Sequence, residues 1–178
     1  IIPLRIEKQQ LEELEKLVKT DIVMSVKEIN TNLKIGLITT GSEIFYGKIK
    51  DKSREVLSEK LGNYNIHDIE QVFVPDEKEK IKERIMEFEK KKDVIMCTGG
   101  MSIDPDDITP SAMRECGGEL IAYGTPVLPG SMILMADKGD KVLMGLPGGV
   151  IFSPKTVFDL ILPRVLACDK ITKKDIVE

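Results

Sequence analysis

Tryptophan is absent from this 178-residue chain, and histidine occurs once, at His67. A Ser-His or Cys-His nucleophilic pair would have to use that one residue. Its setting, YNIHDIEQ, has the pattern of a turn entering a strand, so histidine-based catalysis is not expected. The three cysteines, Cys97, Cys116 and Cys168, lack CxxC spacing, and an odd set of this kind fits free thiols in a reducing, cytoplasmic compartment. No apolar run reaches membrane-spanning length and no secretory leader pattern is present, so a membrane is not an expected partner. An excess of basic charge is missing too. Lys and Arg number 26 against 30 Asp and Glu, for a formal charge of −4. The lysines alternate with glutamates in stretches such as EKEKIKERIMEFEKKK, the pattern of a solvated helix face rather than a nucleic-acid stripe. The phosphate fingerprints GxxxxGK[ST] and GxGxxG are also lacking. The chain opens on Ile1 rather than Met, which fits a piece of a longer protein or a processed one.

What is present is a regular alternation that begins at Lys34. KIGLITT reads as a continuous apolar strand, and KIKDKSREVLSEKLG as an amphipathic helix stopped by Gly62. IEQVFVP is a strand, DEKEKIKERIMEFEKKK a helix, and DVIMCTGG a strand whose consecutive Val94, Ile95 and Met96 imply a sheet covered on both faces. TPSAMREC is expected to be a helix with Thr109 as N-cap and Pro110 at the first helical position. GELIAYG, SMILMAD and KVLMGLPG follow as strands, the last two joined by the hairpin signal KGD. A final helix, SPKTVFDLILPRVLAC, is expected to open at Ser153-Pro154. The sum is a three-layer α/β/α fold around a mainly parallel, partly mixed sheet, spanning residues 34–178. Residues 1–33 read differently: Leu4, Ile6, Leu11, Leu14 and Leu17/Val18 mark one helix face, followed by a polar connector, as in a linker or the tail of a preceding region.

In such sheets ligands bind at the carboxyl ends of the strands. That rule selects four loops, TTGSEIFYG, VPDE, TGGMSIDPDD and GLPGG, each following an expected strand end. Their glycines suit the approach of backbone N–H groups to an anion, and GLPGG precedes an expected helix start. Their acids need a separate account. Asp76 stands three residues before Glu79, a capping-box-like spacing. Asp107 lies just ahead of a helix start, Asp104 and Asp106 flank Pro105 in a turn, and Glu43 has no capping duty. Carboxylates beside an anion site are reconciled by a divalent cation bridging acid and phosphate, or by a ligand ring that offers N–H donors to the acids.

TTGSEI, VPDE, TGGMSIDPDDITPSAM and GLPGG, in this order and spacing, resemble the molybdopterin-binding domain of molybdenum cofactor biosynthesis proteins, over about Lys34 to Ala167. The resemblance implies molybdopterin as ligand or substrate. It also implies Mg²⁺ or molybdate as the ions of the chemistry, and a homo-oligomer, trimer or dimer. It spans three branches: a Mg-ATP-dependent adenylyltransferase, whose motif DITP resembles; a molybdenumtransferase, which TTGSEI and GGMS resemble; and CinA-like nucleotide pyrophosphatases, which DPDD resembles. Where the molybdenumtransferase branch has Gly-Asp-Glu, this chain has Gly41-Ser42-Glu43. By position, Asp76 and Asp107 match acids at the pterin and phosphoryl-transfer site, and Glu43 matches a glutamate near molybdate. Thr40, Gly41, Ser42, Thr98, Gly99, Gly100, Met101, Ser102, Pro147, Gly148 and Gly149 fall in the loops that hold the cofactor. The expectation is a molybdopterin-binding protein acting at metal insertion. The alternatives are an adenylyltransferase, a non-catalytic binding module and a nucleotide pyrophosphatase.

Overall fold

The structure, a computed structural model, describes residues 7–17, 26–102, 104 and 106–177. Six strands form one sheet in the order β2-β1-β3-β6-β5-β4. β1 (Ile35–Thr40), β2 (Ile69–Val74), β3 (Val94–Thr98) and β6 (Val142–Leu146) run parallel, while β5 (Leu134–Asp137) is antiparallel to β6 and to β4 (Glu119–Tyr123). The KGD segment closes the β5–β6 hairpin, with Asp137 opposite Val142, as its turn chemistry predicts. The mainly parallel, partly mixed sheet therefore agrees with the sequence.

Helices cover both faces. Ile35 and Leu37 of β1 and Val94 and Met96 of β3 point into one core, shared with α3 (Ser53–Gly62) and α7 (Val157–Leu166). Ile38, Ile95 and Cys97 point into the other, against α4 (Lys78–Glu89) and α5 (Ile108–Glu115). All five residues of β3 are buried, which explains its unbroken apolar reading. α1 (Lys8–Leu17) agrees with the helical spacing of the first segment, yet Leu11 and Leu14 are exposed; Leu4, Ile6 and Val18 lie outside the described residues. The connector is tied to the domain where Asn30 N–H donates to the Leu166 carbonyl at 2.8 Å.

Three element boundaries differ from expectation. The helix read from Lys48 starts at Ser53; the residues before it form a short helix α2 (Ser42–Phe45) and a loop through Asp51. Asp107, not Thr109, stands at the N-cap of α5, so Pro110 sits at the third helical position, where its missing N–H is still an orphan. The last long helix starts at Val157 with Thr156 as N-cap, because Thr156 and Asp159 complete a capping box; Ser153 lies between it and the one-turn α6 (Gly149–Phe152). α8 (Lys173–Val177) ends the described chain.

The register aligns the carboxyl ends of the parallel strands: Thr40 lies opposite Val74, Thr39 opposite Thr98, and Thr98 opposite Leu146. From β1 the chain moves outward to β2, then crosses to β3 on the other side. The order reverses beside β1, which opens the crevice where α/β sheets bind ligands.

Candidate functional site

At this crevice the tips of β1 and β3 nearly touch. A Cβ on Gly99 would stand 2.2 Å from the Thr40 carbonyl oxygen, and Gly99 has φ of +88°, so only glycine fits. On the next turn, the Thr40 and Thr109 hydroxyls meet at 3.1 Å, which pins the start of α5 to the end of β1. Thr109 thus serves the crevice instead of capping its helix.

Two cavities open here, and Gly148 lines both. The larger, about 390 Å³, is floored by Thr39, Ser53, Thr98 and Gly99 and walled by Ile44, Ile49, Ile151 and Phe152, with Lys50, Asp51 and Lys52 along one side. The smaller, about 290 Å³, lies between Met101-Ser102, Gly130-Ser131-Met132 and Pro147-Gly149. Of the expected ligand-binding residues, Thr40, Thr98, Gly99 and Gly148 line the first, and Met101, Ser102, Pro147, Gly148 and Gly149 the second. Met101 is otherwise an anchor. It is buried, and its flexible terminal methyl packs over Gly145, where an added Cβ would stand 2.4 Å from it. The expected helix dipole behind GLPGG is reduced to the single turn of α6.

The floor of the larger cavity is a connected polar cluster. Thr98 Oγ1 donates to Thr39 Oγ1 at 3.2 Å, Gln71 Nε2 donates to the same oxygen at 2.9 Å and to Asp51 Oδ2 at 2.7 Å, and Ser53 donates its N–H and hydroxyl to Asp51 Oδ1. Thr39, Ser53 and Thr98 are buried, and buried polar groups demand this degree of pairing. Burial alone would raise the Asp51 carboxyl, but the Ser53 and Gln71 donors outweigh it and hold Asp51 below its ordinary range. Asp51, Ser53 and Gln71 were not among the expected site residues. The run KIKDKSREV reads as one amphipathic helix, and the Asp-x-Ser spacing that ends the loop, an Asp two residues before a helix start, was the available signal.

The expected acids occupy different settings. Asp76 does not cap α4, whose N-cap is Glu77; its Oδ2 accepts the Ser42 N–H at 2.8 Å across the β1 and β2 loops, and so fixes the first turn of α2. Asp107 Oδ2 accepts both the N–H and the hydroxyl of Ser102, at 2.5 and 2.8 Å. Tyr123 supports the same loop by donating to the Ser102 carbonyl at 3.4 Å, with Arg114 stacked over its ring. Asp104 accepts the Asp106 N–H at 3.0 Å, a turn-building bond. Glu43 is exposed on α2, beside the cavity residue Ile44. Gly41, Ser42, Glu43, Asp76, Gly100 and Asp107 frame the cavities without lining them. His67 is exposed in its turn, away from the crevice. Among the described residues no three His, Cys, Asp or Glu side chains are grouped to hold a metal ion by themselves. Another hollow, about 410 Å³, opens at the amino end of the sheet near Asp93 and Asp137, opposite the switch point.

The family model described as "Probable molybdopterin binding domain" matches residues 36–167. A molybdopterin biosynthesis protein of Methanocaldococcus jannaschii is 30% identical over 151 residues, covering 84% of this chain and 34% of its own length. The molybdopterin molybdenumtransferase of Synechococcus elongatus is 23% identical over 177 residues, covering 93% of this chain and 44% of its own length. CinA-like proteins also match. The chain therefore spans less than half the length of these curated relatives. In structure, the molybdopterin biosynthesis enzyme MoaB of Thermus thermophilus superposes with a TM-score of 0.60 at 24% identity, over 75% of this chain and 91% of that one. The chain belongs to the molybdopterin-binding domain family of molybdenum cofactor biosynthesis.

Proposed function

We propose that this domain binds molybdopterin, or its adenylylated form, across the two cavities and acts at the metal-insertion stage of cofactor biosynthesis. The observation that carries the reading is the junction at Gly148. It joins a hydroxyl-floored cavity to a second one framed by the Ser102 loop, which suits an elongated ligand with a ring system and a phosphate arm. The Thr39–Thr98–Ser53 hydroxyls offer donors and acceptors to ring edges, and the glycine loops leave room for close backbone approach.

In this reading Asp107 approaches the metal oxyanion from the Ser102 side, and Asp76 and Glu43 from the α2 side. Asp76 and Asp107 each spend one carboxylate oxygen on a backbone N–H and leave Oδ1 without a partner among the described residues. That is compatible with Mg²⁺, which takes one or two carboxylates together with ligand phosphates. Molybdate is the substrate, not a resident ion. The stage of action is supported by the near-complete coverage of this chain in its match to the molybdenumtransferase, and by TTGSE at the β1 tip.

Asp107→Ala is the test. The expected result is loss of cofactor maturation with the circular-dichroism spectrum retained; normal maturation by that variant overturns the metal-insertion role. A binding-only module is the second reading, favoured by the structural duty that Asp76 and Asp107 already carry. Tight molybdopterin binding without metal insertion or ATP consumption establishes it. Release of AMP from ADP-ribose with Mg²⁺ would instead assign the chain to nucleotide pyrophosphatases.

A further inference from the structure

The hollow at the amino end of the sheet, about 410 Å³, has the size of a small-molecule site. Much of its lining is apolar: Val94, Ile121, Met135, Val165 and Ile171, all buried. Its charge is acidic. Asp93, Asp137 and Asp140 line it, and none of the three has an ion-pair partner among the described residues. Asp169 lines it too, but Lys27 and Arg164 neutralise that carboxylate. Lys170, the basic residue on the lining, pairs with no acid among the described residues. Val165 and Cys168 bring the carboxyl end of α7 to the same lining, and with it the negative end of a helix dipole.

The spacing of the acids selects the kind of cation. Asp137 lies opposite Val142 on one side of β6, and Val142 donates its N–H to the Asp93 carbonyl on the other, at 3.0 Å. Neighbouring strands are about 4.8 Å apart, so the α-carbons of the two aspartates stand about 10 Å apart. Each carboxylate spends one oxygen on a backbone N–H: Asp93 Oδ2 accepts from Lys34 at 2.7 Å, and Asp137 Oδ1 from Gly139 at 2.8 Å. The second oxygen of each has no partner among the described residues. Among those residues no three acids are grouped to hold a metal ion, so a compact cation does not suit the gap. A chain with a cationic group at either end does, with its methylenes on the apolar lining.

We propose that this hollow is a second binding site, for a linear aliphatic polyamine, with ammonium groups on Asp93 and Asp137 and methylenes along Val94, Met135 and Val142. It lies at the opposite end of the sheet from the crevice and does not depend on the molybdopterin reading.

Calorimetry on the unaltered chain tests it with hexamethylenediamine, hexylamine and Mg²⁺. The diamine is expected to bind about fivefold more tightly than hexylamine, because only the diamine reaches both acids, and Mg²⁺ is not expected to displace it. Asp93→Asn and Asp137→Asn keep an acceptor for the Lys34 and Gly139 N–H groups. Each is expected to weaken the diamine about fivefold, the scale of one partly exposed charge pair, with thermal unfolding unchanged. No diamine binding, equal binding of diamine and hexylamine, displacement by Mg²⁺, or undiminished binding by both variants overturns the proposal. Cys168 supplies a readout that needs no variant. It is exposed on the lining, whereas Cys97 is buried and Cys116 half-buried. A cationic methanethiosulfonate is expected to label Cys168 faster than an anionic one, and the diamine to protect Cys168 from both, as located by peptide mass spectrometry. Equal labelling by the two reagents, or diamine binding that leaves Cys168 unprotected, overturns the site.

Discussion

Asp107 Oδ2 receives both hydrogen bonds that Ser102 can donate, from its backbone N–H at 2.5 Å and from its hydroxyl at 2.8 Å. The residue at the N-cap position of α5 therefore uses its side chain as the clasp of the loop between β3 and α5. Hydrogen bonds to a charged acceptor contribute about 1.5–3 kcal/mol each where they are protected, and less in an exposed loop. Asp107→Ala is accordingly expected to lower global stability by only about 1–2 kcal/mol. It should accelerate amide exchange at Ser102 and Asp104 while leaving β1 and β3 protected; Asp107→Asn should preserve part of the protection. Exchange measured by mass spectrometry decides it.

The contact between Gly99 and Thr40 predicts a much larger effect from a smaller change. A methyl at position 99 would overlap the Thr40 carbonyl oxygen, and φ of +88° disfavours any side chain there. Gly99→Ala is expected to destabilise the fold by about 3 kcal/mol or more, by forcing the β1 and β3 tips apart. Urea denaturation reads this directly. A control at Gly139, where an added methyl meets nothing within 4 Å, should cost less.

Gln71 gives a prediction about charge. Its Nε2 bridges Thr39 and Asp51 at 2.9 and 2.7 Å. With Gln71→Leu, burial would act on Asp51 with one fewer donor against it, so its carboxyl is expected to titrate at higher pH than in the unaltered protein. A carbon-13 NMR titration of the Asp51 carboxyl checks the direction.

On the far side of α3, Lys60 Nζ binds both Asp159 oxygens, at 2.7 and 2.9 Å, and the Pro154 carbonyl at 3.0 Å, with both side chains nearly buried. Removing one partner of such a pair costs about 3–5 kcal/mol, since the other charge stays desolvated. Asp159→Ala is expected to cost more than Lys60→Met, because it also removes the capping-box acceptor of the Thr156 N–H at 2.7 Å. Thermal unfolding of the two variants ranks them.

The pH dependence follows from the same group. Burial would raise the Asp159 carboxyl, but Lys60 and Thr156 outweigh it and hold it below its ordinary value of 3.8. A carboxyl with a depressed folded pKa stabilises the fold fully above its unfolded value, near pH 4, and that share is lost as the pH falls through the folded value. Stability of the unaltered protein should therefore drop on acidification below about pH 4. Asp159→Asn should show a shallower acid limb in denaturation series at stepped pH.

Much of this fold is legible without coordinates. The runs KIGLITT and DVIMCTGG announce doubly covered strands because residues between helix layers are mostly apolar, and KGD marks the β5–β6 turn by the positive φ of Gly139. At Gly99 the steric reason is equally local: glycine stands where a side chain cannot fit. What sequence spacing could not assign was the duty of each polar group. Asp76 caps α2 from 34 residues away, Thr109 bonds Thr40 from 69 away, and Asp51 belongs to a cluster with Gln71 and Thr39, not to a helix surface. Local patterns specify periodicity and backbone conformation, which are short-range steric properties. Hydrogen-bond partners are set by which strand tips the sheet order brings together, and only the folded register decides that.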